Sequence, residues 1–332
     1  MQLNLRAPAA AMSIALGSGS APLARGSLRA WLMAARPATL TAALSPVIVG
    51  SACALHGSNF RVGAALGAML GATLLQIGAN FANDVFDFEK GADTAERLGP
   101  TRAVQAGLVT PREMRIGMAV VFGLALMCGA YLTAVAGPWI VVIGLLSIAC
   151  AVAYTGGPYP LGYHGLGDVF VFIFFGPVAV VGSAFVHARE LSGLALAASI
   201  PVGALTTAIL VVNNLRDHAT DLRAGKRTLA VRFGLRFTLI EYFALLVFAY
   251  LVPVVLCFWP ERFALQPASA GNARLWLLLP LFSLPVAALT FRAVRASSGR
   301  ALNPLLGKTA RLLFFFSALF AAGLVLSLSP SP

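Results

Sequence analysis

The sequence predicts an all-α integral membrane protein with nine transmembrane helices, and three observations predict it. The chain has 332 residues, 59% of them apolar and only 11% charged, with a mean hydropathy of +0.84; soluble globular domains carry about 25% charged residues. The apolar residues fall into runs close to the roughly 20 that an α-helix needs to cross a bilayer. The basic residues are divided very unevenly among the segments between those runs. The same composition excludes a disulfide scaffold and a coiled coil. It also argues against a soluble nucleic-acid binder, despite a formal net charge of +12.

The expected spans cover residues 38–57, 62–82, 114–136, 138–155, 168–187, 192–214, 236–259, 274–292 and 310–328. Gly137-Pro138 separates the third from the fourth. Twenty of the 24 basic residues then lie on the side of the N-terminus, and four, Arg61, Arg189, Arg262 and Arg274, on the other. The positive-inside rule therefore places the N-terminus inside and the C-terminus outside. One span more or fewer would scramble that split. Residues 1–30 hold three arginines and no acid, without the apolar run and cleavage site of a secretory signal. They read as a disordered cytosolic tail, with an organellar transit peptide as the second reading. Residues 31–329 are expected to form one nine-helix domain, capped on the inner side by loops at about 83–113, 154–168 and 215–235. The four cysteines, all within apolar spans and without a CxxC spacing, read as small hydrophobes.

Acids are scarce, and all six aspartates fall at inner span ends or in inner loops. At the end of the second span, Asn80, Asp84 and Asp87 lie within an arc of about 60° on a helix, and Gln76 extends that stripe toward mid-membrane. Polar residues in a membrane helix line a cavity or bundle interior rather than face lipid. The sixth span ends alike, with Asn213, Asp217 and Asp221 at i, i+4 and i+8. An NxxxDxxD pattern echoed four spans later as NxxxDxxxD is an internal pseudo-repeat, and repeats in membrane proteins tend to place a site between them.

Two facing acidic stripes repel unless a cation lies between them. Hard oxygen ligands of this kind suit Mg²⁺, which takes a few carboxylates together with substrate phosphates. Each acidic stripe is followed by a basic, glycine-containing loop, with Lys90, Asp93 and Arg102 after the first and Lys226 and Arg227 after the second. Acids to hold metal and bases to meet phosphate oxygens point to a diphosphate. The rival from another class, a cation-coupled transporter, needs polar stations through both halves of the membrane, and the outer halves of these spans offer few.

These residues resemble the UbiA superfamily of intramembrane aromatic prenyltransferases, and most closely its 1,4-dihydroxy-2-naphthoate polyprenyltransferase branch. The resemblance runs through Arg36-Pro37-Ala-Thr39, Asn80 to Asp93, Gly99-Pro-Thr-Arg102, Tyr154 to Asp168 and Asn213 to Lys226. It implies a lateral cavity open to the bilayer, Mg²⁺ as cofactor, and transfer of a polyprenyl group from its diphosphate to dihydroxynaphthoate with loss of CO₂. Asp84, Asp87, Asp217 and Asp221 would be catalytic, holding metal with Asn80, Asp93 and Asn213. Lys90, Arg102, Lys226 and Arg227 would hold the diphosphate. Gln76, Tyr154, Tyr163, His164 and Asp168 would orient the aromatic acceptor. 4-Hydroxybenzoate and homogentisate are the alternative acceptors. No nucleic-acid or obligate protein partner is expected, and the site of action is a membrane, most simply a bacterial inner membrane.

Overall fold

A computed structural model of the chain describes residues 23–57, 59–92, 97–263 and 273–327. Residues 1–22, most of the expected tail, and Asp93 lie outside the described residues. Among those described there is no strand. Eleven α-helices run Leu28–Ala35 (α1), Leu40–His56 (α2), Val62–Glu89 (α3), Pro111–Ala136 (α4), Trp139–Ala153 (α5), Gly167–Ile173 (α6), Gly182–Ala188 (α7), Gly193–Arg223 (α8), Leu229–Phe258 (α9), Leu284–Ala296 (α10) and Asn303–Leu326 (α11).

Eight segments among the described residues are long and apolar enough to cross a bilayer, and α5 is a shorter ninth apolar helix. Each of the nine expected stretches overlaps one of these helices, eight of them of spanning length. At 1.5 Å per residue, α5 reaches only about 22 Å of the roughly 30 Å hydrocarbon core. The fifth span, Gly167–Ala188, is continuous through a π-helical stretch, Phe174–Val181, that contains Pro177. Proline has no N–H to donate, so it breaks the regular ladder at a place where the wider π turn relaxes it.

Two helices run past the ends of their apolar stretches, α3 to Glu89 and α8 to Arg223. Asp84 and Asp87 on α3 and Asn214, Arg216, Asp217 and Asp221 on α8 are buried in the bundle interior rather than facing lipid. Local sequence fixes other ends. Thr110 and Glu113 form a reciprocal capping box ahead of α4, with Pro111 at its first position, an arrangement worth about 0.5–2 kcal/mol. Arg36, with φ 50°, turns the chain from α1 into the first span.

The bundle is organised around α8, which packs against α9, α11, α2 and the π-helical stretch. Leu205, Val212, Tyr242, Phe316 and Phe320 are fully buried there. Lipid is as apolar as these side chains, so close packing and interhelical hydrogen bonds hold the helices together. Tyr242 pairs with Thr309 (3.1 Å) and Tyr250 with Ser283 (2.6 Å). Leu66, Leu70, Met127, Phe243 and Phe248 face outward, as suits a lipid-exposed belt. At the end remote from the aspartates, His187 accepts the Arg61 backbone N–H (3.0 Å) and contacts the Ser51 hydroxyl (3.2 Å), tying α7 to α2 and α3. The four cysteines are free thiols.

Candidate active site

The two acidic helices end in the same way. In α3, Gly91 (φ 68°) follows the last turn and the Ala92 N–H returns to the Asp87 carbonyl (2.9 Å). In α8, Gly225 (φ 72°) does the same and the Lys226 N–H returns to the Asp221 carbonyl (2.9 Å). Only glycine adopts this left-handed closure at little cost. Asp87 and Asp221 thus occupy equivalent places, and the pseudo-repeat extends from side-chain spacing to backbone closure.

Between the two ends lies a cavity of about 1740 Å³. Its deeper wall is apolar, built from α2, α4, α5, α7 and the π-helical stretch, with Val47, Ala68, Leu132, Ile140 and Val186 at the far end. Its polar end carries Asp87, Asp217 and Asp221 with Arg102 and Lys226. A long apolar chain with a charged head would lie along this gradient, head at the acidic end.

Charges at the polar end are tightly wired. Asp87, nearly inaccessible at 2% exposure, accepts from Arg102 Nη2 (2.9 Å) and from the Tyr163 hydroxyl (2.7 Å). Lys226 Nζ stands 3.4 Å from the same carboxylate and 4.5 Å from the Tyr163 ring centre. Arg216 holds Asp217 in a two-point ion pair, through Nε at 2.8 Å and Nη2 at 2.5 Å. Tyr154 is half-buried and lines the cavity, where its phenol hydroxyl can donate or accept a hydrogen bond.

The structure sorts the sequence candidates into three groups. Gln76, Asp87, Arg102, Tyr154, Tyr163, Asn213, Asp217, Asp221 and Lys226 line the cavity. Asn80, Asp84 and Asp168 are buried behind its wall. Asn80 donates to the Ala35 carbonyl and the Thr39 hydroxyl, both at 2.9 Å. Asp84 accepts the backbone N–H groups of Ala103 (3.0 Å) and Val104 (3.2 Å). Asp168 opens α6 behind Asn214, whose amide approaches it at 3.5 Å. Lys90, Arg227 and His164 sit at the rim. Lys90 donates to the Gly157 carbonyl (3.0 Å), and its ammonium is held below the usual lysine range by burial and then by nearby Lys226, against the pull of Asp87. The Arg227 backbone N–H binds the Tyr163 carbonyl (2.7 Å), and His164 stacks on Tyr159.

Sequence reasoning passed over Asn83, Asn214, Arg36, Arg97 and Arg216, all of which line the cavity. Asn83 had a signal: it directly precedes Asp84 and lies four residues before Asp87, so it shares the Asp87 face. Arg36 carries a buried Nη2 with no hydrogen-bond partner among the described residues. Nothing in its spacing announces that.

The donor set fits a magnesium ion accompanied by its substrate. Among the described residues, no three acidic, histidine or cysteine side chains form a ready-made metal cage. Mg²⁺ does not require one, because it binds through one or two carboxylates while phosphates and water complete its octahedron. Asp217 and Asp221 present hard oxygens from one helix face and Asp87 from across the cavity. The Asp221 carboxylate is held by no hydrogen bond among the described residues.

Comparison with known proteins agrees with this geometry. The UbiA prenyltransferase family matches residues 43–299. A 1,4-dihydroxy-2-naphthoate octaprenyltransferase of Mycobacterium tuberculosis is 37% identical over 89% of this chain and 96% of its own length. That of Escherichia coli is 37% identical over 90% and 96%. Among solved structures, a UbiA homologue from Archaeoglobus fulgidus bound to DMAPP and Mg²⁺ superimposes with a TM-score of 0.62 at 14% identity, covering 87% of this chain and 98% of that one. The apo UbiA homologue from Aeropyrum pernix gives 0.64 at 18% identity, covering 84% and 96%. With its helical bundle, its paired aspartate-bearing helix ends and these similarities, the chain belongs to the UbiA prenyltransferase family of multi-pass membrane proteins.

Proposed function

We propose that this enzyme transfers a polyprenyl group from an allylic diphosphate to 1,4-dihydroxy-2-naphthoate, releasing diphosphate and CO₂ and forming the demethylmenaquinone skeleton. The observation that carries the choice of acceptor is the 37% identity, across almost the full length, to the dihydroxynaphthoate octaprenyltransferases. The cavity supports the reaction type, with a charged end for a diphosphate and an apolar length for its tail.

In this reading the diphosphate lies between the ends of α3 and α8. Asp87, Asp217 and Asp221 hold Mg²⁺, which supplies charge neutralisation to the leaving diphosphate when bound. Arg102 and Lys226, now on Asp87, turn to the phosphate oxygens, where charge-assisted hydrogen bonds are strongest. Positive character then develops on the allylic carbon as its C–O bond breaks. The apolar wall keeps water from it, and placement against the ring does the remaining work. The ring carbon bearing the carboxylate forms the new C–C bond. The electron pair of the C–COO⁻ bond returns to the ring as CO₂ leaves, so no proton is gained or lost overall. Tyr154, Gln76, Asn83 and Asn214 offer the neutral donors and acceptors that fix the acceptor hydroxyls. Asp84 and Asn80 hold the cap segment and α1 in place. The protein would sit in a bacterial inner membrane with the acidic end facing the cytoplasm.

Membranes containing the protein, given labelled polyprenyl diphosphate and one acceptor at a time, test this reading. Product and CO₂ are expected with dihydroxynaphthoate and Mg²⁺. Product with 4-hydroxybenzoate or homogentisate instead moves the enzyme to another branch, and cation flux without product moves it to transport.

A further inference from the structure

Asn303 lies outside both acidic motifs, at the first position of α11, yet it borders the cavity. Both ends of its amide are engaged and its orientation is unambiguous, because a guanidinium only donates and a carbonyl only accepts. The Asn303 side-chain oxygen accepts from Arg216 Nη1 (2.9 Å), and its NH₂ donates to the Leu98 carbonyl (2.8 Å). Arg216, 2% exposed, carries the connection onward to Asn213 (2.7 Å) and in two points to Asp217. The next residue of the cap segment, Gly99, lies so close to this guanidinium that a Cβ there would stand 2.8 Å from Nη2.

Residues 97–104 therefore form a strap over the polar end of the cavity, tied to α3 by Asp84 and Asp87 and to α8 and α11 by Arg216 and Asn303. The strap carries Arg97 and Arg102 into the cavity. We infer that Asn303 is a positioning residue for prenyl transfer: it holds Arg216 against Asp217 and seats the strap, so that the strap's arginines meet the diphosphate. The inference rests on the prenyl-transfer reading for its consequence in catalysis, but not for the strap itself.

Two readouts on the purified full-length protein separate the two. Asn303→Ala removes both bonds. The KM for the prenyl diphosphate is expected to rise about tenfold, the size of one or two lost hydrogen bonds, one of them to a charged group. The KM for the aromatic acceptor should stay within about twofold, because no acceptor-facing group moves. Independently of any substrate, trypsin should cut after Arg97 and Arg102 about tenfold faster. Asn303→Asp keeps an acceptor for Arg216 but cannot donate to Leu98, so strap cleavage should speed up and the diphosphate KM should rise less than in Asn303→Ala. Gly99→Ala, which displaces the strap without touching α11, should reproduce both effects and serves if Asn303→Ala does not fold. Unchanged diphosphate KM and unchanged strap cleavage in these variants overturn the inference. If the wild-type protein makes no product, the function reading fails while trypsin still judges the strap.

Discussion

The ends of α3 and α8 carry nearly the same sequence pattern, and the fold puts them to different uses. On α8, Asn213, Asp217 and Asp221 all face the cavity. On α3, Asp87 and Asn83 face it, while Asp84 and Asn80 turn toward the cap segment and α1. At about 100° per residue, Asp84 and Asp87 stand about 60° apart. That is close enough to look like one stripe in a sequence and far enough to lie on two walls. The lesson is that a repeated motif need not mean repeated roles. One helix gives its acids to the cavity, and the other divides them between the cavity and the strap that covers it.

This contrast can be broken by mutation, and the largest effect is expected where a carboxylate reaches the cavity. Asp221→Asn and Asp87→Asn should each lower kcat by about 10²–10³, the usual scale for removing one electrostatic contact to a transition state. A chelator should stop the wild-type enzyme reversibly, with Mg²⁺ restoring it. Undiminished turnover in either variant would equalise the two walls and undo the comparison. Asp84→Asn comes next. It puts an NH₂ against one of two backbone donors, so about 1–3 kcal/mol of stability should go, seen as a lower unfolding temperature in detergent and faster cleavage of the cap segment. Asn80→Ala should cost about 1–2 kcal/mol through its lost bonds to Ala35 and Thr39 while the surviving folded protein keeps its kcat. A collapse of kcat here would place Asn80 at the chemistry. Lys90→Ala is the smallest, within about 0.5 kcal/mol, because this exposed side chain makes one hydrogen bond, to the Gly157 carbonyl, and a loose approach to the Tyr163 ring at 5.2 Å.

The spans were legible because lipid imposes a simple rule on composition, that about 20 apolar residues must be continuous. The α8 stripe was legible for a related reason, since i, i+4, i+8 spacing places three residues on one face whatever surrounds them. The α3 stripe was only half legible, because its arc is wide and the neighbouring wall decides which part faces the cavity. His164 and Asp168 lie in a segment whose turns bury one behind Asn214 and stack the other on Tyr159. No periodicity reports on such a segment. Arg216 was read as one of many inner basic residues obeying the charge rule. Its partner Asn303 lies 87 residues away, and local spacing holds no trace of that contact.

By itself, the sequence determined the membrane setting, where the apolar helices run, the pairing of two acidic helix ends and, through resemblance, the family. These follow from hydropathy and helical period, which are properties of neighbouring residues. Only the tertiary structure decided which acids face the cavity, which cations neutralise them, and that the cap segment is strapped to the last helix. These depend on hydrogen bonds between residues as far apart as Leu98 and Asn303, whose few ångströms are set by how whole helices pack.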